Sequence, residues 1–135
     1  MDISATVRNT VAGHHTVSVR TGDNAQSLAI PAKASAPGSA VNGGEFLLLA
    51  LATCYCNDLH REAARLGIAV DGVEVEATAV FPGVGLAATD IRYRVRVDSP
   101  ADAAAVAHLI RHTDAVAEVH NTVRAGMPVT LLESA

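Results

Sequence analysis

Tryptophan is absent from this chain of 135 residues, and two Phe and two Tyr bring the aromatic content to only 3%. Half the residues are apolar all the same, mostly Ala, Val and Leu. Such small side chains bury little area each, so a core built from them leaves a lone chain of this length marginal, and association of copies is the natural remedy. Long hydrophobic runs are missing too. The most apolar stretch, Phe46 to Ala52, falls far short of the ~20 residues that span a bilayer. Nor is there a basic excess: the formal charge is −4 and the pI about 5.8, against the basic balance usual in nucleic-acid-binding domains. The expected partners therefore include neither nucleic acid nor membrane. With only 18% charged residues the chain is too apolar to be a disordered tail, and its length fits a single domain spanning 1–135.

Cysteine is scarce as well. Cys54 and Cys56 lie two apart in a helical pattern, where side chains are turned roughly 200° from one another. Their thiols diverge, no disulfide framework exists, and a reducing, cytoplasmic setting is expected. Residues 1–12 alternate and include Asp2 and Arg8, with no apolar core of a signal peptide.

Against these absences, the patterning is clear. Ile3 to Val7 and Thr16 to Val19 alternate as two strands turned at Gly13, and a turn at Gly22–Asn24 leads to a third strand, Ser27 to Ile30. A loop rich in Pro, Gly and Ser feeds a helix from Glu45 to Leu66, stopped by Gly67. Its first part is apolar all round, which predicts burial on every side; its second part, Asn57 to Arg65, is mostly polar and is expected to emerge. Residues 70–81 and 88–97 form a hairpin through Pro82-Gly83-Val84-Gly85. If Phe81 faces Ala87, Glu76 meets Arg92 and Glu74 meets Arg94, so opposite charges pair while the apolar faces align. A helix from Ala101 to His112, another from Val116 to Arg124 and a last strand from Met127 to Leu132 follow. The order is βββ-α-ββ-αα-β, an α+β fold.

Three constellations bear on chemistry. His108 and His112 have metal-pair spacing, but zinc needs further ligands; two solvent-side histidines are the plainer reading, and neither a metal nor a cofactor is expected. Arg92, Arg94 and Arg96 are an anion site or a solvated salt ladder, and the ladder is preferred. Cys54, near the polar end of the apolar helical stretch, is either a small hydrophobe or a reactive thiol, and reactivity would require help in forming the thiolate.

The run Asn42-Gly43-Gly44-Glu45-Phe46-Leu47-Leu48-Leu49-Ala50-Leu51-Ala52-Thr53-Cys54 resembles the G-x-x-P-x-E-L-L-L-A-A-L-A-x-C segment of the OsmC/Ohr family of osmotically induced and organic-hydroperoxide-resistance proteins. Val116-Ala117-Glu118-Val119-His120-Asn121-Thr122-Val123-Arg124 is similar to that family's h-C-P-V-S-N-T-L-R segment. The order of elements agrees over nearly the whole chain. The resemblance implies an OsmC-like fold and an intertwined homodimer, with long central helices wrapped by sheets. It also implies peroxide reduction at a cysteine in the position of Cys54, with an acid and an arginine polarising the reacting atoms. Glu45 matches the glutamate of the helix segment, although the better-characterised peroxidases carry the acid one residue earlier, at Gly44 here. Arg20 is the arginine of the appropriate N-terminal region. The family's second cysteine aligns with Ala117, so an internal two-cysteine cycle is not expected.

The reading is a thiol-dependent peroxidase for organic or hydrogen peroxide, with Cys54 attacking and an external thiol or dithiol reducing the sulfenate. The rival is a non-catalytic dimer that binds a small apolar or thiol-reactive ligand in an interfacial pocket. A depressed Cys54 pKa favours the peroxidase; a normal or raised one favours the binder. A purely structural dimer, its pocket filled by side chains, ranks third.

Overall fold

Alternation at the N-terminus becomes a three-stranded antiparallel sheet in the computed structural model, which describes residues 1–133. Its strands are β1 (Ile3–Asn9), β2 (His15–Thr21) and β3 (Asn24–Leu28), in the order β1-β2-β3. Thr21 pairs with Asn24, leaving the two-residue loop Gly22-Asp23. Gly22 has a φ of 56°, the left-handed conformation that such a tight hairpin needs and that glycine takes without strain. β3 thus begins three residues before the expected Ser27. Val7, Val17 and Leu28 stand in register across the sheet. Of the three only Val17 is buried, while Val7 is 60% exposed.

The chain divides into two compact units, Met1–Phe46 and the remainder from Leu47. Helix α1 (Gly43–Leu66) starts with a capping box. Glu45 N–H donates to Asn42 Oδ1 at 2.8 Å, and Asn42 N–H donates to Glu45 Oε1 at 3.0 Å, which satisfies two donors that the helix start would leave free. Its C-terminus is a Schellman motif. Ile68 N–H bonds the Ala63 carbonyl at 2.9 Å and Gly67 N–H the Ala64 carbonyl at 3.3 Å, with Gly67 at a φ of 68°.

In the second unit, β4 (Gly72–Val80) and β5 (Thr89–Asp98) form a two-stranded antiparallel sheet. Glu74 lies opposite Arg96, Glu76 opposite Arg94, and Thr78 opposite Arg92. The pairing is two residues off the expected register. The connection is wider than a tight turn, and an irregularity between Thr78 and Val80 adjoins Asp90 with its φ of 54°. A slip of two keeps every side chain on its face and still pairs acid with base, which is why charge and periodicity did not distinguish the two registers.

Helices α2 (Ala103–Val116) and α3 (Glu118–Arg124) follow, with Ala117 between them. Asp102 caps α2 by accepting from Ala105 N–H. The core of this unit is Tyr55, Leu59 and Ala63 of α1 with Leu109 and Ala117; Val73, Val75, Tyr93, Val95 and Val97 pack against it.

Three expectations are corrected. Met127 to Leu132 forms no strand: a strand needs a neighbour to receive its backbone hydrogen bonds, and in the single chain neither sheet pairs with this segment. The apolar start of α1 is not enclosed on every side, for Leu51 is buried but Leu49 is 56% exposed. Conversely, the polar half of α1 does not wholly emerge, since Asp58 and Glu62 are buried.

Gly67→Ala is expected to cost about 1 kcal/mol by forcing an L side chain into the left-handed region. Leu59→Ala is expected to cost about 2–5 kcal/mol through an unfilled core site. Urea denaturation of each variant measures both.

Candidate functional site

The apolar stripe of α1 determines where Cys54 points. Leu51, Tyr55 and Leu59 are spaced by four and buried, so α1 turns that face inward and leaves Cys54, roughly 100° round the helix, at the rim of the packed face. Asp58, one turn further on, lies on the same side as the sulfur. Cys54 Sγ–H donates to Asp58 Oδ2 at 3.5 Å, and Glu118 Oε2, from the first turn of α3, lies 3.9 Å from Sγ. Asp58 is only 5% exposed, and Arg61 donates to its other oxygen at 2.9 Å. Both cysteines are free thiols.

This setting holds the thiol protonated. Burial pushes the Cys54 pKa up, and the charges of Asp58 and Glu118 push the same way, outweighing the Val119 backbone bond that favours the thiolate. Burial also raises the Asp58 carboxyl, against the pull of Arg61. Glu118 is held low, mainly by its own backbone N–H. The raised thiol falls on the side of the criterion that favours the binding reading, so a peroxidase reading has to find its base in the protein.

Sγ of Cys54 and carboxylate oxygens of Asp58 and Glu118 lie within 4.8 Å of one another. One soft and two hard donors fall short of the four ligands of a structural zinc centre, and a bonded Sγ–H with a buried carboxylate is the natural state of a proton-sharing pair. Ala117, where the resemblance places the second cysteine, is fully buried, so no resolving thiol stands there. Cys56 lines a separate hollow with Ala52, Thr53, Asn57 and Val75.

The other expected site residues lie in the N-terminal unit. Arg20 is an exposed residue of β2 between Ser4 and Ala25, and Glu45 spends its carboxylate on the α1 capping box. The rings of His108 and His112 stack at 6.0 Å, and His112 Nε2 lies 3.4 Å from Glu62. Arg92, Arg94 and Arg96 are exposed; Arg96 lies 3.6 Å from Glu74, while Arg92 pairs with Asp90 of its own strand and not with the expected Glu76, so among the described residues the expected ladder reduces to one cross-strand ion pair.

Sequence reasoning passed over Asp58, Glu118 and His120. A signal existed for one of them: Asp58, like Glu62, falls at the same helical spacing as Tyr55, Leu59 and Ala63, which puts carboxylates beside an apolar stripe. His120 is buried against Tyr93 and Tyr55, with ring centroids at 4.6 and 5.8 Å. Tyr93 donates its hydroxyl to Asp114, which Arg124 also holds. Burial works to raise the Asp114 pKa, but these two partners outweigh it and keep the carboxylate low.

Comparison with known proteins adds the following. Residues 36–132 match the family model described as OsmC-like protein. The fold is similar to that of an OsmC-like protein from Mycoplasma pneumoniae, at 18% identity and a TM-score of 0.63 over 92% of this chain and 89% of that one. It is also similar to an organic hydroperoxide resistance protein OsmC from Legionella pneumophila, at 14% identity and a TM-score of 0.60 over 90% and 89%. An OsmC-like hydroperoxide resistance protein from a Jannaschia species aligns at 17% identity and a TM-score of 0.53 over 96% and 89%. No curated protein matches the chain. Among the described residues, no helix is long and apolar enough to cross a membrane.

In a Cys56→Ser background, alkylation of Cys54 by iodoacetamide should rise with pH through a midpoint above that of a cysteine in an unstructured peptide. Asp58→Asn removes the nearer negative charge and should lower that midpoint. Mass-spectrometric rates across pH measure both.

Proposed function

We propose that this chain, which belongs to the OsmC-like family, serves in peroxide resistance, with Cys54 as the reacting thiol and Asp58 as the base that activates it. The observation that carries the proposal is the Sγ–H of Cys54 directed at a buried carboxylate oxygen 3.5 Å away. Burial makes Asp58 a stronger base than a solvated aspartate, and it is within reach of the proton that must leave.

The reaction closes on these groups. Asp58 takes the thiol proton while sulfur attacks the distal oxygen of a hydroperoxide, ROOH. The S–O bond forms as the O–O bond breaks, and the departing alkoxide takes the proton from Asp58 and leaves as ROH. Cysteine is oxidised by two electrons to the sulfenic acid and the peroxide is reduced by two. With Ala117 at the second-cysteine position, an external thiol condenses with the sulfenic acid, releasing water. A second thiol then frees Cys54 and leaves as the disulfide. Arg20 and Glu45 are assigned the accessory task of polarising the peroxide that the family resemblance gives them.

A homodimer belongs to this reading. Ile3, Val7, Leu49, Val129, Leu131 and Leu132 are exposed, a cost that a second copy relieves by covering them. Light scattering is expected to give twice the 13.9 kDa chain mass, and a monomer at micromolar concentration would contradict the assembly. A single domain over 1–135 and a cytoplasmic setting complete the proposal.

A second reading, a non-catalytic dimer that binds a small apolar or thiol-reactive ligand, is favoured by the raised Cys54 pKa. Asp58→Asn separates the two. Where Asp58 is the base, the variant reacts faster with iodoacetamide yet reduces cumene hydroperoxide about 10²-fold more slowly at neutral pH, the size usual for general-base loss. Acceleration of both reactions would make Asp58 a mere electrostatic brake and remove the proposed mechanism.

A further inference from the structure

Apart from the Cys54 cluster, the second unit contains a cavity of about 150 Å³ with an unusual wall. Leu51, Ile91, Val123 and the ring of Tyr93 supply apolar surface, and His120 lies among them. His120 is 4% exposed, and neither ring nitrogen has a hydrogen-bond partner. Imidazole in either tautomer carries an N–H donor and a lone-pair acceptor, and leaving both unmet in a buried place costs free energy. The neighbours do not relieve it. The Tyr93 hydroxyl and the Arg124 guanidinium are both spent on Asp114, and the histidine meets Tyr93 and Tyr55 through its ring alone. A buried polar group with no protein partner, lying in the wall of a cavity, can be satisfied only by a group that enters that cavity.

The remaining wall indicates what that ligand carries. Arg92 and Arg124 line the same cavity, with side chains 74% and 49% exposed, so the cationic groups stand at the solvent side with Ile91, while Leu51 and His120 are buried. Arg92 uses Nε on Asp90, and its terminal nitrogens bond no group among the described residues. The volume matches an apolar cavity that admits a benzene-sized molecule, about 150 Å³.

We propose that this cavity binds a small monocarboxylate with a compact apolar body, of the size of benzoate. Its body lies against Leu51, Ile91 and Val123, and its carboxylate accepts from the His120 ring N–H and the free nitrogens of Arg92. A carboxylate and a forked guanidinium make the strong, oriented kind of hydrogen bond. The site excludes Cys54, so it stands or falls apart from the peroxidase reading.

The charge state of His120 gives the site a pH signature. Burial and then the Arg124 charge hold the imidazole neutral below its ordinary range, opposed by Asp114 of α2 and Asp58 of α1, while Tyr55 and Tyr93 face it uncharged. A bound carboxylate adds negative charge and raises the His120 pKa. Affinity therefore increases as pH falls through the interval between the bound-state and free-state values, and levels off below it.

The test is titration of the full-length ¹⁵N-labelled chain with sodium benzoate at constant ionic strength, following the ring nitrogens of His120 by NMR. Saturable shifts at His120 are expected, with benzyl alcohol, the neutral analogue, binding at least about tenfold more weakly. Arg92→Gln, a change at an exposed side chain, should weaken benzoate about tenfold, and Cys54→Ser should leave binding unchanged. Absence of a saturable shift at His120, equal binding of benzyl alcohol, or full affinity in Arg92→Gln would each overturn the proposal.

Discussion

Everything chemical in the second unit depends on how α1 is rotated against β4 and β5. Tyr55, Leu59 and Ala63 form the stripe that meets Val73, Val75, Tyr93, Val95 and Val97. Tyr55 is fully buried and donates its hydroxyl to the Ile110 carbonyl at 2.8 Å, so its polar end is satisfied and the helix is pinned to α2 as well as to the sheet. In a chain with no Trp and two Tyr, these two rings, 5.0 Å apart, are the largest objects in the core. Rotating α1 by one residue would bring Cys54 inward and Tyr55 out.

Once that rotation is set, electrostatics at the rim follows. Asp58 and Glu62 are one turn apart, both buried at the edge of the apolar stripe, and each is reached by cations from the same helix. Arg61 serves Asp58, while Arg61 and Arg65 approach Glu62 with His112 of α2 nearby. Removing one member of such a set leaves a buried charge uncompensated, which makes the cluster a sensitive part of the fold. The sulfur stands at the acidic end of it, toward Glu118. Burial and the two nearby carboxylates favour the protonated thiol there, so the proposed chemistry needs proton transfer to Asp58 in place of a standing population of thiolate.

Much of this was legible in the amino-acid order. Alternation located β1, β2 and the two strands of the β4–β5 hairpin, a turn signal placed β3 three residues late, the Gly67 stop located the end of the long helix, and charge pairing located the faces of the hairpin. Period-two patterning is blind to a slip of two, so the register waited for the structure. The last strand, Met127 to Leu132, had strand-like composition but no partner within one chain, and partners are invisible to local pattern. Cys54 was legible as the candidate thiol from its helix segment, whereas its surroundings were not. Glu118 reaches it from 64 positions away, through a packing of α3 against α1 that no local spacing encodes. Asp58 looked like part of a solvated polar stretch because its neighbours Asn57, His60 and Arg61 are exposed. His120 is buried by packing against Tyr55 and Tyr93 of other elements, which its own segment does not encode.

The central claim is that Cys54 is the thiol that meets peroxide and that Cys56 takes no part. Trapping the sulfenic acid with a dimedone-type reagent after brief exposure to cumene hydroperoxide, followed by intact-mass analysis, tests this most directly. The account predicts one trapped sulfenate per chain in the wild type and in Cys56→Ser, and none in Cys54→Ser. A sulfenate that persists in Cys54→Ser, or oxidation of the wild type no faster than that of a free thiol in solution, would contradict it.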